Sequence, residues 1–102
     1  MADLNAEARR KLYHTVLNLK SIDECERFFE DLCTIRELTD MAQRLEAAAL
    51  LDRKVSYQAI AKQIGISTAT IGRVSRCLNY GAGGYRLVLD KMQKEEPEHE
   101  TD

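Results

Sequence analysis

The chain has 102 residues, 44% of them hydrophobic and 31% charged, with a formal charge of −2, five glycines and one proline. That length accommodates one domain with a modest core, and the overall charge lacks the basic excess usual in nucleic-acid-binding domains. All five glycines lie between Gly65 and Gly84 and the proline is Pro97, so residues 1–64 hold no helix breaker and a β-sandwich or barrel, which needs turns every roughly 8–12 residues, is excluded.

Residues 4–19 place Leu4, Ala8, Leu12, Val16 and Leu19 at spacings of three and four, the stripe of an amphipathic helix. Ser21-Ile22-Asp23-Glu24 reads as a capping box opening a second helix through Leu32, with Ile22, Cys25, Phe28, Phe29 and Leu32 inward. Thr34-Ile35-Arg36-Glu37 repeats the pattern and starts a third helix to about Leu51, lined by Ile35, Leu38, Met41, Ala42, Leu45, Ala48 and Ala49. From Ala47 its apolar character runs nearly all round, which predicts contact on more than one side and suits a dimer core. Val55-Ser56 opens a short helix that Gly65 ends, and Ser67 opens the next. After Gly81-Ala82-Gly83-Gly84, read as a flexible joint, Tyr85–Lys94 gives a last amphipathic helix. The expected layout is one all-α domain over residues 1–94, with residues 95–102 an acidic, disordered tail.

Charge is distributed unevenly along this order. Residues 1–52 carry 7 basic and 11 acidic side chains, net −4; residues 53–89 carry six basic ones and no Asp or Glu, net +6; residues 90–102 carry two basic and six acidic, net −4. A carboxylate-free stretch in a chain otherwise rich in carboxylates points to a surface that meets negative charge. The longest apolar run, Ala47-Ala48-Ala49-Leu50-Leu51, is far short of the roughly 20 residues of a membrane span, and the N-terminus has no apolar signal region. Cys25, Cys33 and Cys77 form no CxxC pair, and the first two sit among Phe28, Phe29 and Leu32, where a thiol packs as a small hydrophobe. The expectation is a soluble, reduced, cytoplasmic protein with no membrane partner. His14 and His99 are isolated, so no metal site is expected. No catalytic set can be assembled from the few candidates, and no cofactor or enzymatic activity is expected.

Residues 56–78 fit a helix-turn-helix almost position by position. Ala61 is small where two helices would cross, Gly65 supplies the left-handed turn residue, and Ile60, Ile64, Ile66, Ile71 and Val74 would pin the crossing. The second helix then presents Thr68, Ala69, Thr70, Gly72, Arg73 and Arg76 outward. Short residues at its start let the backbone approach base edges, and a threonine can hydrogen-bond there or lay its methyl on thymine. Ser67 caps the helix at the end whose free amides favour phosphate. Arg73, Arg76, Lys62, Arg53 and Lys54 are candidates for backbone contacts that fix register, and Gln58 at the start of the first helix assists readout. Double-stranded DNA is the expected partner. A helical interaction module docking an acidic protein through the same scaffold is the alternative, and salt-dependent binding to random DNA separates the two.

Leu50-Leu51, a short basic connector, Val55-Ser56, the helix-turn-helix, and Ala69-Thr70-Ile71 followed by Arg73 together resemble the Trp-repressor superfamily, in particular its small YerC/YecD-type branch, over about residues 20–92. The resemblance implies an all-α, intertwined homodimer of about six helices per chain. The N-terminal helices of two chains would interlock, and two heads would read two half-sites. It also implies where an effector would sit. The arginine that stacks over a bound indole in that family falls on Arg73, and the glycine after it is replaced by Val74, whose isopropyl group intrudes where the ring would lie. The family's second pocket arginine falls on Gln43, with Arg44 adjacent, so the bidentate carboxylate partner is lost. The expectation is a transcriptional regulator, a repressor by resemblance, not controlled by tryptophan. A different small effector, if one acts, would meet Arg73, Val74 and Arg44.

Overall fold

Five of the helices begin where a short polar side chain takes up amides that a helix start leaves without partners. Asp3 accepts from the amides of Asn5 (3.0 Å) and Ala6 (3.1 Å), Ser21 from Glu24 (3.1 Å), Ser56 from Ala59 (3.2 Å) and Ser67 from Thr70 (3.1 Å). At Thr34 the capping box is reciprocal: its hydroxyl accepts from the Glu37 amide at 3.1 Å, and the Glu37 carboxylate accepts from the Thr34 amide at 2.8 Å. The Thr34 amide, and after it the Thr34 hydroxyl, hold the Glu37 carboxyl below its ordinary range. The Glu24 carboxylate reaches one residue further back than a box requires and accepts from the Lys20 amide at 2.8 Å.

The computed structural model describes the backbone of residues 3–100 and the side chains of residues 3–95. Among the described residues there are six α-helices and no strand: α1 Leu4–Leu17, α2 Ile22–Leu32, α3 Ile35–Asp52, α4 Tyr57–Ile64, α5 Thr68–Tyr80 and α6 Gly84–Glu100. The all-α expectation holds. None of these helices is long and apolar enough to cross a membrane. The chain divides into two compact units, one reaching Leu38 and the other starting at Thr39.

The first unit buries no side chain of α1 or α2 completely. Leu12, Val16, Cys25, Phe28, Phe29 and Cys33 are half-buried, and the two phenylalanine rings meet edge to face at 5.3 Å. The apolar stripe predicts Leu19 on α1, but Leu19 lies beyond the helix, which Asn18 ends. Ile22 and Leu32, predicted inward on α2, are exposed, because nothing within the described chain covers that side. Ile35 at the start of α3 is exposed as well.

The second unit holds the core: Ala47, Ala48, Ile60, Ile71, Val74 and Leu89, with Leu50, Leu51, Val55, Ala61, Ile64, Ile66, Leu78 and Tyr85 packed against it. Ala47 and Ala48 are both fully buried, as expected of a helix apolar on more than one side. At the end of α3 the Val55 amide donates to Leu50 O (3.1 Å) and the Lys54 amide to Leu51 O (2.9 Å). This is the paired closure of a Schellman motif, and it sets Lys54 at φ 67°. Left-handed backbone of that kind costs an L-residue about 1–2 kcal/mol relative to glycine. The turn delivers the chain directly to the Ser56 cap of α4.

α6 is longer than its apolar pattern predicts. It reaches Glu100 instead of Lys94, with Pro97 inside it. A proline there removes one bond near the end of a helix, where fewer turns depend on it. Thr101 and Asp102, the end of the expected acidic tail, lie outside the described residues. α6 is tied to α3 by Arg86, whose Nη1 and Nη2 donate to Asp52 Oδ1 and Oδ2 at 2.8 and 2.9 Å while its Nε donates to Asp90 at 3.0 Å. Gln93 Nε2 donates to Asp52 Oδ2 at 3.2 Å. The Arg86 fork holds the Asp52 carboxyl below the usual aspartate range despite partial burial.

Candidate nucleic-acid interface

α4 and α5 cross as a helix-turn-helix because the residues at their junction leave one arrangement. Ile60 and Ile71 are fully buried and Val74 nearly so, and Ala61, Ile64 and Ile66 pack against them. Burying one such side chain contributes about 1.5–3 kcal/mol. Gly65 ends α4 at φ 84°, and its amide donates to Ala61 O at 2.8 Å. Such a φ favours glycine, and it turns the chain sharply enough for Ser67 to cap α5 two residues later.

With that side packed, the opposite side of α5 faces outward. Thr68, Ala69, Arg73 and Arg76 are exposed, Ser67 stands at the helix start, and Gln58 and Lys62 are exposed on α4. Thr70 and Gly72 are half-buried, so they lie at the edge of this face. The Thr70 hydroxyl is already engaged, 3.0 Å from the Ser67 hydroxyl, which leaves it fewer free directions than Thr68 has. Of the six cations in the carboxylate-free stretch, Arg86 is neutralised by Asp52 and Asp90. Lys54, Lys62, Arg73 and Arg76 are exposed.

Beside α5, and sharing Ser67, Thr70 and Arg73 with that outward face, lies a cavity of about 430 Å³. Arg44, Arg73 and Val74 all line it, so the three residues named for an effector come together in space. Gln43 lines it too, in the place the resemblance gives to a second arginine. Asp40, Cys77 and Tyr85 also line it and were not singled out from the sequence. Asp40 stands one turn before Arg44, and Cys77 continues the Thr70, Arg73, Val74 stripe at helical spacing, so both had a periodic signal. Tyr85 is brought in by α6, from beyond the glycine joint, and had none. The joint itself has a steric requirement: a Cβ on Gly81 would run into the Cys77 carbonyl, to which the Gly81 amide donates at 2.9 Å. Among the described residues no group of His, Cys, Asp and Glu could hold a metal ion.

Comparison with known proteins agrees with this architecture. The Trp repressor protein family model matches residues 7–93. Over 88 residues the chain is 49% identical to the uncharacterized protein YerC of Bacillus subtilis (strain 168), a match that covers 86% of this chain and 85% of the relative. The crystal structure of a TrpR-like protein from Eubacterium eligens ATCC 27750 superposes with a TM-score of 0.83 at 45% identity, over 85% of this chain and 90% of that one. A candidate Trp repressor from Staphylococcus aureus gives a TM-score of 0.82 at 39% identity, over 85% of this chain and 87% of the other. A family match that takes in all of α2 to α5 and most of α1 and α6, joined to a helix-turn-helix built on Ile60, Gly65 and Ile71, means that this chain belongs to the Trp repressor protein family.

Proposed function

We propose that the chain is a sequence-specific DNA-binding transcriptional regulator, a repressor by family, that acts as a homodimer and inserts α5 into the major groove. The observation that carries this reading is the exposed face of α5, where Thr68, Ala69, Arg73 and Arg76 stand free of any acidic neighbour in residues 53–89. Thr68, Ala69 and Thr70 contact bases, with Gln58 assisting, and Ser67, Lys62, Arg73 and Arg76 hold the phosphate backbone. Gly72 lets the duplex come close to the helix. Two heads spaced by about 34 Å, one turn of B-DNA, would read two half-sites. Exposed Leu4, Leu17, Ile22, Leu32 and Ile35 support self-association, since apolar groups in such number call for a cover.

The direct test is a gel-shift titration against random and selected duplexes at two salt concentrations. Arg76→Ala should weaken binding to every sequence alike and flatten the salt dependence by about 0.9 for each phosphate it no longer neutralises. Thr70→Ala should change the preference between sequences. Equal weakening on random and selected DNA for Thr70→Ala would remove it from base readout. No binding to either duplex at either salt concentration would favour an acidic protein partner over DNA.

The cavity beside α5 supports control by a small molecule other than tryptophan, with Arg44, Arg73 and Val74 as its contacts. Val74 is 2% exposed and packed into the core, so it cannot swing aside to admit an indole. L-tryptophan should leave the melting temperature unchanged. A clear rise would overturn that part of the proposal.

A further inference from the structure

We propose that the cavity beside α5 takes a small phosphate monoester of a polyol, and that this occupant releases DNA by withdrawing Arg73 from it. The inference rests on the DNA-binding and small-molecule readings given above, and supplies the ligand's chemical class and the sign of its effect. All the lining residues belong to the second unit, so the geometry of the cavity is set within that unit. Its charged groups are Asp40 and Arg44 on α3 and Arg73 on α5. Asp40 stands one turn before Arg44, a spacing at which ion pairs form readily. Yet among the described residues none of these three side chains makes an ion pair or a hydrogen bond, whereas Arg86 is held by Asp52 and Asp90 at 2.8 Å each.

Two unpaired guanidiniums from different helices, facing one space, select an oxyanion. Ser67 and Thr70 add hydroxyls to the same wall, bonded to each other at 3.0 Å so that one hydrogen between them is left to donate. Two guanidinium forks and a hydroxyl offer more donors than the two oxygens of a carboxylate accept, and suit the three terminal oxygens of a phosphate monoester. Asp40 repels a bare anion, so the rest of the ligand must bring it hydrogen-bond donors. Gln43, beside Asp40 on the same helix face, both donates and accepts, which matches hydroxyls better than an ammonium. Ile66, Val74 and Tyr85 line the remainder, and the volume of about 430 Å³ lies in the range of small-molecule sites.

Ser67, Thr70 and Arg73 serve this cavity and the DNA-facing side of α5 at once. A phosphoryl group on Arg73 therefore occupies a cation that would otherwise meet a DNA phosphate, and places its own negative charge beside that face. Occupant and duplex oppose one another, and by linkage each weakens the other by the same factor.

Ligand binding and DNA binding are measured separately on the full chain. Without DNA, glycerol-3-phosphate, ribose-5-phosphate and glucose-6-phosphate are compared with inorganic phosphate and gluconate by thermal melting and calorimetry. At least one ester should raise the melting temperature by a few degrees, and by more than either reference. In gel shift that ester should weaken duplex binding by about 5- to 150-fold and flatten the salt slope by about 0.9 for the phosphate that Arg73 no longer meets. Arg44→Gln should bring the ratio of DNA affinities without and with the ester toward one. Asp40→Asn should raise the affinity for inorganic phosphate and narrow its gap to the ester. Both residues are exposed, so neither change disturbs the core. If no ester outdoes inorganic phosphate and gluconate, the ligand class is wrong; an ester that tightens DNA binding reverses the sign and overturns the release. A chain that binds an ester but no duplex at any salt concentration would overturn the DNA-binding reading and the release with it, while upholding the ligand class.

Discussion

Gly72 shows how a single residue can be judged by what surrounds it. It sits inside α5, and nothing lies within 4 Å of where its Cβ would stand. A helix-interior glycine is less favourable than alanine by about 1 kcal/mol, and here packing supplies no reason for it. Gly72→Ala is therefore expected to raise the melting temperature, by roughly 4–8 °C per kcal/mol gained in a chain of this size. If duplex DNA approaches this face, the added methyl should also weaken binding severalfold. Calorimetry and gel shift on the same preparation check both halves, and a more stable variant with unchanged affinity would take Gly72 out of the interface. Residues of this kind were legible in the sequence because their chemistry is local: serine before a helix, glycine after one, small side chains at a crossing. Lys54 was not, because its left-handed backbone comes from the hydrogen bonds of Leu50 and Leu51 and not from a glycine or asparagine that would announce it.

Elements differ in how much of their placement is local. The bounds of α4 and the start of α5 were readable to within a residue, since their caps and aliphatic spacing lie within a short stretch of chain. Their joint depends on Ile60 and Ile71, so Ile71→Ala should cost about 2–5 kcal/mol and lower the melting temperature accordingly. The pairing of α3 with α6 had no such signature, because Asp52 and Arg86 are 34 residues apart and nothing in the sequence couples them. Their bond makes a pH prediction. The Asp52 carboxyl is lowered in the fold, chiefly by the Arg86 hydrogen bonds, while the unfolded chain titrates near the ordinary value of about 3.9. Its contribution is thus complete above about pH 4 and is lost as pH falls through the lower folded value. Asp52→Asn should lower the melting temperature at neutral pH and shallow its fall below about pH 4, followed by circular dichroism. A variant with the wild-type acid profile would show that the clamp carries no acid sensitivity.

At the scale of the whole molecule, the −2 charge and breaker-free first 64 residues describe a chain in two parts. One part packs a core beneath a basic head. The other leaves Ile22 at 79% and Leu32 at 51% exposed on a helix whose spacing marks both as inward. The sequence pattern identifies the apolar face but does not say which chain covers it, since periodicity records that a side chain needs burial and not where its neighbour comes from. A second copy is the proposed cover. The protein should then sediment at twice its 11.6 kDa chain mass at micromolar concentration, and its melting temperature should rise with protein concentration, as mass action requires when folding and association are linked. Replacing Ile22 and Leu32 together with aspartate places charge on the face that must be desolvated, so the variant should lose the dimer and melt lower. The second unit, whose core of Ala47, Ile60, Ile71 and Leu89 is formed within one chain, offers an internal reference. Hydrogen exchange should show α4 and α5 still protected in the variant while α1 and α2 lose protection. A wild-type chain that sediments as a monomer, with a melting temperature independent of concentration, would require those apolar side chains to meet some other partner.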